Sequence, residues 1–134
     1  MKDFDQWNSE KKKTDSREDM GDVYFSEREV WWVRLGVNIG FEQDGTGEGF
    51  ERPVVILKKY NPNTLLVLPL STTQKRGKYY CAVGKVEERD AVAIVSQIRL
   101  LDSKRLVNSA GTIDKETFAR LIKAVVDTNF GGYI

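Results

Sequence analysis

Glu51-Arg-Pro-Val-Val-Ile-Leu57 is the stretch that decides the fold of this chain. Its apolar run from Pro53 to Leu57 is typical of a strand that is covered on both faces. After the turn residues Tyr60-Asn-Pro-Asn63 comes a second apolar run, Thr64-Leu-Leu-Val-Leu-Pro-Leu70. The two runs predict paired strands at the centre of a sheet.

Polar groups stand where these two strands begin and end. Arg52 precedes the first strand, and Ser71, Thr72 and Thr73 follow the second. A permanently charged guanidinium beside hydroxyl donors suits a phosphodiester site. Because Pro69 has no N–H, we expect strand pairing to lapse there and the three hydroxyls to face solvent. The alternatives are a rim salt bridge of Arg52 with Glu51 or Asp44, and an ordinary polar turn at 71–73.

Shorter patterns on either side complete the predicted architecture. Further strands are predicted at Glu29–Leu35, Tyr79–Val83 and Ala91–Ser96, with a single helical turn at Ser103–Leu106. Asp114 is placed to cap a helix that runs to about Thr128 with one apolar stripe. We therefore expect an α+β fold, a compact antiparallel β-barrel or curled sheet with one C-terminal helix.

Two segments lack a strand or helix pattern. Gly36 to Gly49 holds five of the eleven glycines, which favours either a mobile flap over a site or a plain long hairpin loop. Ser9 to Asp19 is almost entirely polar, so we expect residues 1–24 to be a polar arm, partly helical or disordered, and residues 25–134 to be the folded domain. Phe4 and Trp7 would allow one helical face to dock, although the composition favours a loose extension.

Composition limits the chemistry. The 134 residues carry a net charge of +1, so any nucleic-acid contact is expected to be a local patch. There is no histidine and one cysteine, Cys81, which excludes His-centred zinc sites, Ser-His-Asp triads and paired-His ribonuclease chemistry. We expect no metal and no cofactor. No apolar run approaches roughly 18 residues, and without a signal-peptide pattern we expect a cytoplasmic protein with no membrane partner.

Five blocks of the sequence, taken in order, resemble the MazF/PemK toxins of bacterial toxin–antitoxin systems. The blocks are Glu29-Val-Trp-Trp32, Gly40-Phe-Glu-Gln43, Arg52–Ile56, Pro69-Leu-Ser-Thr72, and Gln97-Ile-Arg99 followed by Asp102 and Lys104-Arg-Leu106. The resemblance covers about residues 28–128. It departs from the family in the insertion Asp44–Phe50, in the extra arm, and at Ser96, where many members carry an acid.

The resemblance implies a small SH3-like barrel, shared with the CcdB gyrase poisons, and a function. It implies a sequence-selective, metal-independent endoribonuclease (an mRNA interferase) that acts on single-stranded RNA as a homodimer. The 2′-hydroxyl would attack the adjacent phosphate and give 2′,3′-cyclic phosphate and 5′-hydroxyl ends. A cognate antitoxin would inhibit it by laying an acidic, initially disordered segment across the groove that contains Arg52.

The same resemblance implies roles for individual residues. Arg52 and Ser71 stand at the family's catalytic positions, and Thr72 is a neighbouring candidate. The candidate RNA-binding residues are Phe41, Glu42, Gln43, Lys75, Arg76, Gln97 and Arg99, of which Phe41 is the candidate for base stacking. Gln97 and Arg99 could instead connect parts of the barrel through hydrogen bonds, and Lys75 and Arg76 could lie on a solvated loop.

The general base stays open at this point. Arg52 suits charge stabilisation and proton delivery, but its pKa above about 12 makes it a poor base. The remaining candidates are Glu42, Glu51, water and a transiently neutral Arg52. The main alternative function is a non-catalytic, CcdB-like barrel that poisons or binds a protein partner. A DNA-binding regulator is disfavoured by the near-neutral charge and the lack of a helix-turn-helix pattern.

Overall fold

A curled antiparallel sheet with helices against it forms the body of the chain. The computed structural model describes residues 1–18, 23–73 and 75–134; residues 19–22, at the end of the polar arm, and Gln74 lie outside the described residues. In chain order the elements are α1 (Phe4–Asp15), β1 (Glu29–Arg34), β2 (Glu51–Asn61), β3 (Thr64–Ser71), β4 (Tyr80–Val86), β5 (Arg89–Ile94), β6 (Arg99–Asp102), a 3₁₀ turn (Ser103–Arg105), β7 (Leu106–Thr112), α2 (Lys115–Phe130) and a second 3₁₀ turn (Gly131–Tyr133).

Strand β3 connects the two halves of the sheet. The strand order is β4-β5-β3-β2-β1-β7, with β6 paired to β3 in addition. The first part of β3, from Thr64 to Val67, pairs with β6, and its end pairs with β5 through Leu70 opposite Ala93. The sheet therefore curls into a half-barrel. Together with α2, it confirms the predicted α+β class.

Strand β2 supplies side chains to two hydrophobic cores because successive residues of a strand point to opposite faces. Val55 and Leu57 belong to the core under α2. Val54 and Ile56 belong to a second core on the opposite face, which includes Phe25. The prediction that this strand is covered on both faces is confirmed.

The C-terminal helix begins as predicted. The Asp114 carboxylate accepts a hydrogen bond from the Thr117 backbone N–H at 2.8 Å and so satisfies one of the unpaired donors of the first turn. Leu121 and Val125 are buried in the core under the helix, and Phe118 and Ile122 pack beside them. The apolar stripe read from the sequence is the face that packs on the sheet.

The cap gives a pH prediction for stability. The Thr117 backbone N–H, followed by the Thr117 side chain, lowers the pKa of Asp114. A carboxylate with a lowered folded pKa stabilises the fold above its unfolded pKa of about 3.9, and that contribution is lost as the pH falls through the lower folded value. We expect Asp114→Asn, which caps without titrating, to show a smaller decrease in Tm than the wild type on acidification below about pH 4. Equal decreases in thermal melts followed by circular dichroism would contradict this.

The expectation for Pro69 is wrong in one respect. Pairing does not lapse there: Pro69 lies opposite Val54 of β2, and β3 continues to Ser71. On the other edge, Pro69 falls between Val67, the last residue paired with β6, and Leu70, the first paired with β5. A residue without an N–H is tolerated at this change of partner. Ser71 is therefore only 7 % exposed, whereas Thr72 and Thr73 are exposed as expected.

The arm is more ordered than its composition suggests. Residues 4–15 form α1, and Trp7 is buried at 6 % exposure, whereas Phe4 stays 49 % exposed. The helix docks through Trp7, so a loose extension does not describe these residues. In the described part of the chain, no helix has the length and apolar character needed to cross a bilayer.

Candidate active site

The glycine-rich segment 36–50, called the flap below, folds back between β1 and β2. Thr46 and Glu51 exchange backbone hydrogen bonds of 2.7 and 2.9 Å, and the Gly45 N–H donates to the Gly36 carbonyl at 2.7 Å. Gly36 has φ of +82° and lies against the Trp7 ring, so a side chain is excluded there on both counts. These contacts set the flap beside the start of β2, where Arg52 lies.

The structure brings Arg52 and Ser71 together. Val54 lies opposite Pro69 in the β2–β3 pair, and continuing that register places Arg52 opposite Ser71. The Arg52 Nη1 donates to the Leu70 carbonyl at 3.1 Å. Both residues line one cleft of ≈ 490 Å³, called the arginine cleft below.

Two backbone carbonyls orient the Arg52 guanidinium. Besides the bond to Leu70, its Nε donates to the Asp44 carbonyl of the flap. These bonds use two of the five N–H donors of an arginine, so among the described residues three remain for a ligand. Burial lowers the pKa of Arg52, and the Asp44 carboxylate opposes that shift. No ion pair joins Arg52 to Glu51 or Asp44, so the rim salt bridge is not what orients it.

The hydroxyls differ in access to the arginine cleft. The Ser71 Oγ accepts a hydrogen bond from the Thr73 N–H at 3.2 Å. That bond leaves the Ser71 hydroxyl proton available for donation. Thr72 and Thr73 are exposed and also line the cleft. A ligand in the cleft would meet two exposed hydroxyls and one that is mostly buried.

The lining residues of the arginine cleft that sequence reasoning missed include Trp32, Glu87 and Arg89. The Trp32 Nε1 donates to the Glu87 carboxylate at 3.0 Å. Trp32 lies opposite Pro53 in the β1–β2 pair. Pro53 also lines the cleft, but successive residues of a strand point to opposite faces, so strand alternation does not place Trp32 beside Arg52. Glu87 and Arg89 belong to the β4–β5 hairpin, and the sequence holds no signal that brings it here.

A second cavity of ≈ 640 Å³, called the flap cavity below, lies under the other side of the flap. Its lining includes five of the seven predicted RNA-binding residues: the polar Glu42, Gln43, Gln97 and Arg99, and the aromatic Phe41. Leu35, Val54 and Val67 supply part of its apolar wall. Gln43 lines both spaces, Lys75 lines only the arginine cleft, and the exposed Arg76 lines neither.

The side chains of Gln97 and Arg99 differ in their hydrogen bonding in the flap cavity. The Gln97 side chain accepts from the Gln43 N–H at 2.9 Å and donates to the Phe41 carbonyl at 3.3 Å, so it connects the flap to the barrel. Arg99 makes no such hydrogen bond to the described residues. Burial lowers the pKa of Arg99, and the Glu42 carboxylate opposes the shift. Arg99 is thus a partly buried cation available to a ligand.

The chain matches the model of a known protein family. The model of the PemK-like, MazF-like toxins of type II toxin–antitoxin systems matches residues 26–127. The chain belongs to this toxin family. The resemblance seen in the sequence is confirmed, and the arm lies outside the matched region.

Solved structures share the fold at low identity. The toxin superposes on MazF from Deinococcus radiodurans with a TM-score of 0.69 at 17% identity, covering 80% of this chain and 97% of that one. An endoribonuclease in complex with its cognate antitoxin, from a mycobacterial species, gives 0.60 at 16% identity over 81% and 96%. Toxin MazF-mt6 of Mycobacterium tuberculosis gives 0.58 at 16% identity over 75% and 94%. A comparison with curated proteins finds no match.

Carboxylates and the single thiol are dispersed in the toxin. Across residues 1–18, 23–73 and 75–134, no group of three or more Cys, Asp or Glu side chains is placed to hold a metal ion. The arginine cleft itself presents cations, hydroxyls and carboxylates: Arg52, Lys75 and Arg89, then Thr46, Ser71, Thr72 and Thr73, then Glu51 and Glu87.

Proposed function

We propose that the toxin is a sequence-selective, metal-independent endoribonuclease that acts on single-stranded RNA. The observation that carries this proposal is that Arg52 of β2 and Ser71 of the neighbouring strand β3 line one open cleft. The 2′-hydroxyl loses its proton to a base, its oxygen forms a bond to the phosphorus, and the bond from phosphorus to the 5′-oxygen breaks. The products are a 2′,3′-cyclic phosphate and a 5′-hydroxyl.

Arg52 is proposed as the main catalytic residue. Its remaining N–H donors suit a phosphorane, which carries more negative charge on its oxygens than the starting diester. Because burial lowers the pKa of Arg52, release of a proton to the leaving 5′-oxygen is easier than from a solvated arginine. The backbone anchors keep the guanidinium oriented before substrate binds, and such preorganisation lowers the barrier.

Ser71 and Thr72 are proposed as hydroxyl donors to the non-bridging phosphoryl oxygens. Their positions differ in exposure, since Ser71 is 7 % exposed and Thr72 is open to solvent. The backbone bond from Thr73 orients the Ser71 oxygen. We propose that Ser71 donates its hydrogen bond from a fixed position, whereas the exposed Thr72 side chain can adjust to the position of the phosphate.

Glu51 is the carboxylate that we propose as the general base. It lines the arginine cleft, whereas Glu42 lines the flap cavity. The Glu42 carboxylate also accepts a hydrogen bond from the Ile39 N–H at 2.9 Å, which occupies it within the flap. Location therefore favours Glu51 over Glu42, with water as the route if Glu51 cannot reach the 2′-hydroxyl.

The remaining residues are proposed to bind the RNA strand. Lys75 in the arginine cleft, and Arg76 beside it, would contact the phosphate backbone without reading sequence. The flap cavity would contribute selectivity: Phe41, 99% exposed, offers a stacking surface. Glu42 and Gln43 of the flap and Arg99 of β6 offer hydrogen-bonding groups to base edges, and Gln97 positions the flap.

We further propose a homodimer that a cognate antitoxin inhibits. Solved relatives of the same fold include complexes with antitoxin. An acidic segment that folds on binding would cover Arg52 and the neighbouring Lys75 and so exclude RNA.

Cleavage is expected to be independent of divalent metal. Purified toxin should cut a long single-stranded RNA as fast in EDTA as in buffer with Mg²⁺, because the proposed groups of the arginine cleft need no metal. Mapping the cut ends tests the proposal: ends with cyclic phosphate and 5′-hydroxyl at a recurring sequence support it. Loss of cleavage in EDTA contradicts the metal-independent mechanism. Intact RNA under all conditions favours the non-catalytic, partner-binding alternative.

A further inference from the structure

Helix α1 and the residues just after it are fixed to the barrel at three places, although they lie outside the region that the family model matches. Trp7 packs on Phe50 of the flap with ring centroids 5.5 Å apart. Near the end of the helix, Thr14 is 5 % exposed and accepts a hydrogen bond from Arg34 at 3.1 Å. Beyond the helix, Arg17 donates to the carbonyl of Lys104 at 2.6 Å. The helix is therefore part of the folded body.

Lys2, just before α1, is a further link from this segment to the flap. Its ammonium lies 3.0 Å from the Asp44 carboxylate. It also donates to the carbonyls of Asn38 at 2.6 Å and Gly40 at 3.1 Å. A lysine ammonium has three N–H donors, and here they connect three positions of one loop. Lys2 thus joins the two sides of the flap.

Asp44 contacts both Lys2 and Arg52. Its carboxylate accepts from Lys2 and from the Asn38 N–H at 2.6 Å, while its backbone carbonyl accepts from the Arg52 Nε. A shift of the Asp44 backbone would therefore move one of the two anchors of the guanidinium. Lys2 is not among the residues that line the arginine cleft, so it would act through Asp44.

We propose that Lys2 is a positioning residue, which orders the flap through Asp44 and thereby orients Arg52. The effect on cleavage rests on the proposed function, whereas the ordering of the flap does not. If Lys2 had no role in ordering the flap, a different result would be expected. In that case Lys2 would affect overall stability little, since partly exposed ion pairs contribute little, and it would leave the flap unchanged.

The test compares full-length Lys2→Met with wild type, with Lys2→Arg and with Lys13→Met. Methionine keeps an unbranched chain but removes the charge. Lys13 is the matched control because it lies on α1, is 71% exposed and pairs only with Glu10 among the described residues. A purification tag belongs at the C-terminal end, away from residue 2.

Two readouts need no catalysis. Hydrogen exchange of the Asn38 and Gly45 amides should be several-fold faster in Lys2→Met, because both are hydrogen-bonded within the flap. Modification of Arg52 by phenylglyoxal, followed by mass spectrometry, should also be several-fold faster. Lys2→Arg should restore both rates towards the wild type, and Lys13→Met should match the wild type.

The third readout is kinetic. For cleavage of a fixed RNA, kcat should fall about 10-fold in Lys2→Met with KM little changed, since misplacing a catalytic group mainly affects the chemical step. The proposal would be overturned if amide hydrogen exchange or Arg52 modification in Lys2→Met occurred at the wild-type rate. It would also be overturned if Lys13→Met changed these rates as much as Lys2→Met. If the wild type cuts no RNA, the proposed function fails, and the exchange and modification rates alone decide the role of Lys2.

Discussion

Replacing Arg52 by alanine is expected to lower kcat for RNA cleavage by at least about 10²–10³-fold while the protein stays folded. Two backbone carbonyls fix the Arg52 guanidinium in the arginine cleft. Arg52→Lys is expected to lower kcat by nearly as much. A lysine ammonium lacks the planar fork that bonds both anchors and a phosphate at once.

The control for this prediction is Arg120→Ala. Arg120 is an exposed arginine of α2 that donates to the Ala82 carbonyl at 2.9 Å, and it does not line the arginine cleft. Circular dichroism and thermal melts should show all three variants folded. Cleavage by Arg52→Ala at the wild-type rate would remove Arg52 from the mechanism and with it the central claim about this site.

The second large effect is expected at Gly45. A Cβ at this position would overlap the Phe50 carbonyl, which is rigid backbone, so Gly45→Ala must displace the flap. Asp44 is the adjacent residue and anchors Arg52. A displacement of about 1 Å at a catalytic group costs on the order of 10²-fold in rate, so we expect kcat to fall by that amount.

Gly132→Ala serves as the matched control, because an added Cβ there meets open space. Both variants should keep the circular dichroism spectrum of the wild type, and steady-state cleavage kinetics would separate them. If Gly45→Ala cleaved as fast as Gly132→Ala, Arg52 would not depend on the position of the flap.

Much of the fold could be read from local patterns. Strands β1 to β5 and helix α2 follow from apolar runs, turn residues and a cap, all of which act within a few residues. Strand β7 gave no such signal. Most of its residues are exposed, and its pairing with β1 shifts register twice, so its partner rather than its composition makes it a strand. Strand β6 has only four residues.

The candidate site was predictable in part for a related reason. Adjacent strands bring Arg52 and Ser71 together, and both strands were visible in the sequence. The burial of Ser71 depends on pairing with Val92 of β5, which is distant in sequence. Likewise, Trp7 and Lys2 become ordered only through contacts with residues about 30 or more positions away. Polar composition alone could not reveal those contacts.

The two anchors of Arg52 are main-chain atoms, and this affects which changes the toxin can accept. Carbonyl oxygens are supplied by every amino acid, so a side-chain replacement at 70 leaves that acceptor in place. A replacement at 44 keeps the carbonyl but removes the carboxylate that Lys2 binds. Inserting or deleting a residue between 44 and 52 would move the Asp44 carbonyl beyond hydrogen-bonding distance of the Arg52 Nε. Spacing along the chain, together with the Asp44 carboxylate that Lys2 binds, therefore sets the orientation of the guanidinium.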